Sequence, residues 1–196
     1  MRMTQLRRAT LSVICLLTTT ALFAEPVTYE IDPRHTFPSF EADHQGGLSV
    51  WRGKIRSTSG TIVIDREAQT GNVDVTMDMS TIDFGMDAMT DHAKAEDILD
   101  VAQFPTATYT GEMSQFTAQG GPTAIEGQLT LHGVTNPLNL RVNSFQCNPP
   151  AMGRSVCGAD ASGSFNRDDY GVDFGMGRFL MYVNLEIQVE GVLVED

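Results

Sequence analysis

Positive charge is scarce in this chain. Its 196 residues include 13 Lys and Arg against 25 Asp and Glu, a formal net charge of −12. Nucleic acid needs basic residues for its phosphates, and an anionic membrane surface attracts polybasic segments. Both are excluded as electrostatic partners. Histidine is scarce too, limited to His35, His44, His92 and His132. A metal centre needs three or four converging ligands. His35 and His44 are nine residues apart, roughly 30 Å if the chain is extended, so they cannot share one ion without a sharp turn, and no metal is expected. There is no G-x-S-x-G elbow, no H-E-x-x-H pair and no Walker loop, so no catalysis is expected. No apolar run reaches the ~20 residues of a membrane-spanning helix. Aromatic residues are few, at 8%, yet 41% hydrophobic and 19% charged residues describe a folded chain rather than a disordered one.

What is present begins with a leader. Arg2, Arg7 and Arg8 precede an apolar stretch from Ala9 to Phe23, and Ala24 stands before Glu25-Pro26. A positive start, a short apolar centre and a small residue at the cut form a secretory signal. Cleavage is expected after Ala24, with Ala21 as the alternative. Residues 1–24 are read as a cleaved signal peptide and residues 25–196 as one exported domain. The leader holds three of the cations and none of the acids, so the remainder carries −15.

Loss of the leader also removes Cys15 and leaves Cys147 and Cys157. Two cysteines in an exported chain, within a segment rich in Gly, Pro, Ser and Asn, read as a structural disulfide. Their ten-residue offset is not that of a C-x-x-C redox pair, and no second ligand pair suggests zinc.

Period-two alternation dominates the rest. Val73, Val75, Met77 and Met79 alternate with Asp74, Thr76 and Asp78; Leu138, Leu140 and Val142 alternate with Asn139, Arg141 and Asn143. Val183, Leu185, Ile187 and Val189 alternate with Asn184, Glu186, Gln188 and Glu190. Each run is a strand with one dry and one wet face. Further strands are expected at 27–31, 37–44, 49–56, 58–65, 106–116, 125–131 and 158–167. Gly- and Pro-rich turns separate them. Residues 87–102 break the pattern and predict a short helix capped at Thr90 or Asp91 and ended by Pro105. Many antiparallel strands with one polar face make either a two-sheet sandwich or a closed barrel of about eight strands. Met77, Met79, Met86 and Met89 fall close together, and such pliable side chains suit an adaptable apolar lining or simply fill a core.

Several segments, taken in order, resemble the YceI-like family of exported, lipocalin-like, polyisoprenoid-binding proteins. Tyr29-Glu30-Ile31-Asp32-Pro33 with His35 resembles its first strand, and Phe37 through His44 its second. Gly53 falls in a "v-x-G-x-f" segment, and His92 with Asp97-Ile98-Leu99 and Phe104-Pro105 resembles the family's helix and turn. Gly127-Gln128-Leu129-Thr130-Leu131-His132-Gly133-Val134-Thr135-Asn136-Pro137 is similar to its "G-x-L-T-L-H-G-V-T-k-P" motif, and Asn166 through Gly171 to its "R-x-D-F-G" turn. The sequence departs from the family in Met89-Thr90, where Arg-Asp is usual, in Ala93, where Leu is usual, and in Asn136, where a basic residue is usual.

The resemblance implies an all-β, extended eight-stranded antiparallel barrel with a short helical segment near 87–102, located in the periplasm. It implies an interior holding a long-chain isoprenoid lipid or quinone, with a polar head near the mouth and transient membrane contact. No other cofactor is implied. Alternation points Phe40, Val75, Met77, Met79, Ile82, Leu99, Phe104, Tyr109, Leu129, Leu131, Leu140, Val183, Leu185 and Ile187 inward, and leaves Trp51 open. His35, His44 and His92 are head-group candidates, or plain hydrogen-bonded histidines at strand ends. Exposed terminal strands could pair two copies as a homodimer. The alternative is a non-catalytic interaction or stress protein whose barrel is filled by its own side chains. A continuous apolar channel of several hundred Å³ separates the two. If the Met77 face lines such a channel, Met77→Asp abolishes lipid retention, measured by solvent extraction of the purified protein; retention at the wild-type level would refute that face.

Overall fold

Among the described residues, twelve antiparallel strands and one short α-helix follow the alternation closely. The computed structural model describes residues 25–151 and 153–195; the expected leader lies outside them. The strands are β1 (Val27–Ile31), β2 (Phe37–His44), β3 (Ser49–Ile55), β4 (Thr58–Asp65), β5 (Thr70–Asp78) and β6 (Ile82–Asp83). After helix α1 (Asp87–Lys94) come β7 (Thr106–Phe116), β8 (Pro122–Leu131), β9 (Val134–Pro137), β10 (Leu140–Ala151), β11 (Arg154–Asn166) and β12 (Tyr182–Leu193). β1 and β2, β3 and β4, β5 and β6, and β9 and β10 are consecutive halves of single ribbons, so the twelve segments form eight staves, each paired with the next along the chain. The last stave returns to the first. β12 pairs with β2 from Val183↔Ala42 to Gln188↔Phe37, then with β1 from Ile31↔Gly191 to Tyr29↔Leu193. The sheet is therefore a closed, up-and-down barrel. The terminal strands satisfy each other, which removes the free edges on which strand-paired dimerisation was expected to rest.

Three neighbouring staves break at one level. Between β1 and β2, the buried Asp32 accepts hydrogen bonds from the Arg34 backbone N–H (3.0 Å) and from His35 Nδ1 (2.9 Å). Thr36 Oγ1 donates to the Glu190 carbonyl and accepts from its N–H. Between β3 and β4, Thr81 Oγ1 accepts from the N–H groups of Arg56 and Ser57. Between β5 and β6, a single 3₁₀ turn, Met79–Thr81, is capped by the Asp78 carboxylate. These side chains replace ladder bonds that the breaks remove.

Order along the chain sets the two ends. Turns at 66–69 and 117–121 and the turn residue Gly153 lie at one end, with both described termini. Segments 45–48, 84–105, 132–133 and 167–181 lie at the other. The first end is packed shut by Ile64, Met113 and Val142. Cys147 and Cys157 sit opposite each other on β10 and β11, Cα atoms 4.0 Å apart, and form the expected disulfide.

The helix is shorter than expected. Gly85 (φ +74°) and the Asp83 carboxylate turn the chain just before Asp87, so neither Thr90 nor Asp91 is the cap; Thr90 Oγ1 instead accepts from the Phe84 N–H. At Ala95 the backbone becomes extended. The chain wraps back through Asp100 N–H to the Ala95 carbonyl and Val101 N–H to the Lys94 carbonyl. That loop drops Ile98 and Leu99 into the barrel, which a straight helix would not do.

The Asp32 turn makes stability acid-sensitive. The Arg34 N–H, followed by the His35 side chain, holds its carboxyl at about 2, below the ordinary 3.8. A carboxyl depressed on folding stabilises the fold above its unfolded value and loses that contribution as pH falls. Between pH 4 and pH 2 the urea midpoint of the wild type is expected to fall more steeply than that of Asp32→Asn, with unfolding followed by circular dichroism.

Candidate functional site

Inside the staves lies one continuous cavity of about 450 Å³, within the ~300–1,000 Å³ of small-molecule sites. All the residues that alternation points inward line it, except Phe104. Phe40, Val75, Leu185 and Ile187 face this space and are only half-buried, because the surface they retain is turned toward the cavity. Tyr109 and Leu129 line its middle, level with Val75, and Leu140 and Ile125 line it toward the closed end. Two glycines shape the wall. A Cβ at Gly53 would stand 2.5 Å from Phe40 Cζ, and one at Gly127 would collide with the Tyr109 hydroxyl.

Phe104 is displaced for a clear reason. Its ring packs 4.4 Å from the His132 ring and over Gly133, where a Cβ would meet Phe104 Cε1 at 2.7 Å. It supports the β8–β9 turn instead of lining the cavity. Of the two readings of His35 the structure shows the hydrogen-bonded one: its partners are Asp32 and, at 3.7 Å, Glu190, and it stands at the stave break outside the lining. Met86 is 49% exposed, whereas Met77, Met79 and Met89 line the cavity. His44 and His92 both reach the lining at the mouth.

The mouth is aromatic. A chain of ring contacts runs from His92 to Phe174 (5.1 Å), Phe179 (6.3 Å), His44 (6.1 Å), Trp51 (5.7 Å), Phe84 (6.3 Å) and Phe40 (5.3 Å). All seven line the cavity, and Phe174 is 36% exposed, so the cavity reaches the surface there. Phe84, Phe174 and Phe179 lie outside the regular alternating runs, so no period located them. Trp51 is brought in by its register with Ala42, which itself pairs with Val183.

Polar groups at the mouth are few and already engaged. Arg167, the one Lys or Arg of the described residues in the lining, donates from Nη1 to the Val172 carbonyl and from Nη2 to the Phe174 carbonyl, each at 2.7 Å. Burial lowers its pKa, opposed by Asp168, Asp173 and Asp43. Desolvation works to raise the Asp43 carboxyl, but the N–H groups of Leu180, Gly46 and Gly47 outweigh it and hold the group below the ordinary carboxylate range. His44 Nδ1 meets Ser49 Oγ at 3.2 Å, and His92 Nε2 meets Asp97 at 3.1 Å. Deeper in, Tyr109 donates to the Leu138 carbonyl (3.0 Å), and burial raises its pKa, so the phenol stays neutral. Among the described residues, no group of three or more His, Cys, Asp or Glu side chains could hold a metal ion.

Comparison with known proteins agrees with the architecture. The profile of the YceI-like domain matches residues 29–194. Protein YceI of Salmonella arizonae is 30% identical over 186 residues, which is 93% of this chain and 94% of that protein. Among solved structures, a polyisoprenoid binding domain from Saccharophagus degradans, implicated in plant cell wall breakdown, superposes with a TM-score of 0.63 at 14% identity, covering 86% of this chain and 99% of the other. Burkholderia cenocepacia BcnA gives 0.60 at 19% identity, covering 79% and 95%.

Arg167 thus acts as a clamp on the mouth. A hydrogen bond from a charged group is worth about 1.5–3 kcal/mol. Arg167→Leu should therefore speed amide hydrogen exchange across 171–179 by at least tenfold, read by mass spectrometry, while exchange in β4 and β7 stays unchanged.

Proposed function

This chain belongs to the YceI-like family, and from that premise we propose that it is an exported lipid-binding protein holding a polyisoprenoid or isoprenoid-quinone-like chain inside its barrel, for carriage or storage in the periplasm. The observation that carries this reading is the continuous apolar cavity, where a filled barrel would have had interlocking side chains. The polyisoprenoid-binding relative of the same fold supports the choice of ligand class. The leader at 1–24 and the disulfide support an oxidising compartment outside the cytoplasm.

The physics of such a ligand is specific. Each methylene withdrawn from water is worth ~0.8 kcal/mol, but a bilayer solvates the same tail equally well. The protein gains little over the membrane and needs only a dry tube from which the lipid can return. The mouth favours one kind of head. A diphosphate would want free cations facing the cavity, and Arg167, which does face it, already serves two carbonyls. A flat, neutral ring instead meets aromatic faces, each contact worth roughly 0.5–1.5 kcal/mol.

The test is purification of the exported chain from its native envelope, solvent extraction and mass spectrometry. A long-chain isoprenoid or quinone near one per protein is expected from the wild type. Val75→Trp, which fills the middle of the cavity, should carry far less. Repeatedly empty extracts from folded wild-type protein would favour the filled-barrel alternative.

A further inference from the structure

Large apolar side chains are unevenly distributed over the surface. Of the ten that are exposed among the described residues, only Val27 and Val194 lie at the closed end. Leu48 (74%), Val50, Met86, Met176 (58%), Leu180 and Tyr182 surround the mouth. They come from three segments that the fold ties together. The Leu180 N–H donates to Asp43 (2.9 Å), and a Cβ at Gly46 would touch the Arg178 carbonyl. These contacts bind the 174–182 segment to the β2–β3 turn. Across the mouth, the Phe174–His92 ring contact joins the same segment to α1, which begins beside Met86. The rim is thus a held apolar surface, not a set of loose loops.

This rim is continuous with the cavity. Phe174 and Phe179 line the interior, while Met176 and Leu180, on the same segment, face out. Whatever passes through the mouth passes over these side chains. An apolar chain leaving the cavity finds an equally good solvent only in the core of a bilayer. A second copy of this chain is a poor occupant, because residues 25–196 carry −15 and like copies repel. That charge also removes any attraction to anionic headgroups, and the rim itself mixes Arg178 with Asp87 and Asp173.

We propose that the rim is a docking surface for a zwitterionic lipid bilayer, into whose headgroup region Leu48, Met176 and their neighbours sink so that the ligand moves between leaflet and cavity without crossing water. The proposal rests on the lipid-binding reading of the cavity. It requires contact driven by apolar insertion, insensitive to salt and not improved by anionic lipid.

Trp51, the only tryptophan of the chain, lies at the mouth and reports the contact. The exported protein should co-sediment with phosphatidylcholine vesicles, and brominated phosphatidylcholine should quench Trp51. Binding should persist at about 0.5 M salt, where the Debye length is only ~4 Å, and should not rise when anionic lipid is added. A Leu48→Asp/Met176→Asp double variant should lose partitioning by roughly tenfold or more, with an unchanged unfolding midpoint and wild-type lipid in its extract. Val27→Asp at the closed end should partition as the wild type does. Wild-type protein that ignores phosphatidylcholine vesicles would overturn the proposal, as would a folded double variant that binds them normally or a rim buried in a concentration-dependent dimer. Empty extracts with vesicle binding intact would instead defeat the carriage reading and leave the docking surface standing.

Discussion

The pairing of the first strand with the last is the constraint on which the rest of the molecule depends. Through Val183↔Ala42 and Gln188↔Phe37, then Ile31↔Gly191 and Tyr29↔Leu193, a flat meander becomes a tube. Without these pairs, the β1–β2 ribbon and β12 would each present an unpaired edge, and the interior would lie open along its whole length. β12 has to serve two partners in turn, β2 and then β1. The join between them is the Asp32–Thr36 turn, so its hydrogen bonds secure the closure itself. This explains why a carboxylate is buried there at all. An ionised group in that position is tolerated because Arg34 and His35 supply donors to it.

The tube is asymmetric. At one end Ile64, Met113 and Val142 interlock, and the cross-strand disulfide joins the β10–β11 hairpin that runs past the rest of the barrel. At the other end the connections are long, and their aromatic rings border the cavity without filling it. Packing supplies stability where the structure is closed, leaving the open half to adapt to an occupant. Such a division matches the general tendency of binding regions to come from the less tightly packed part of a domain.

Much of this was legible along the chain. The strands at 27–31, 37–44, 58–65 and 106–116 stand where alternation put them, because a strand half in oil and half in water can hide its apolar residues only at every second position. For the same reason Val75, Met77, Leu129 and Leu185 face the cavity. Period two carries no information in loops, so it does not locate Phe84, Phe174, Phe179 or Arg167, and it gives the wrong side for Phe104, next to Pro105 and just before β7. Composition predicts too long a helix because it registers the absence of strand signals and not the point at which Ala95 turns the chain back.

Sequence alone therefore determined the class of the fold, the inward and outward faces of each strand, and the cysteine pair, since each follows from local period or from a small set of chemical options. The tertiary structure decided whether the interior is a cavity or a core. That depends on the circumference of the closed sheet relative to the summed volume of the side chains it encloses, a quantity no single segment contains. It also decided which end is open, because the mouth is assembled from segments as far apart as Leu48 and Leu180, and only the closure of the barrel brings them together.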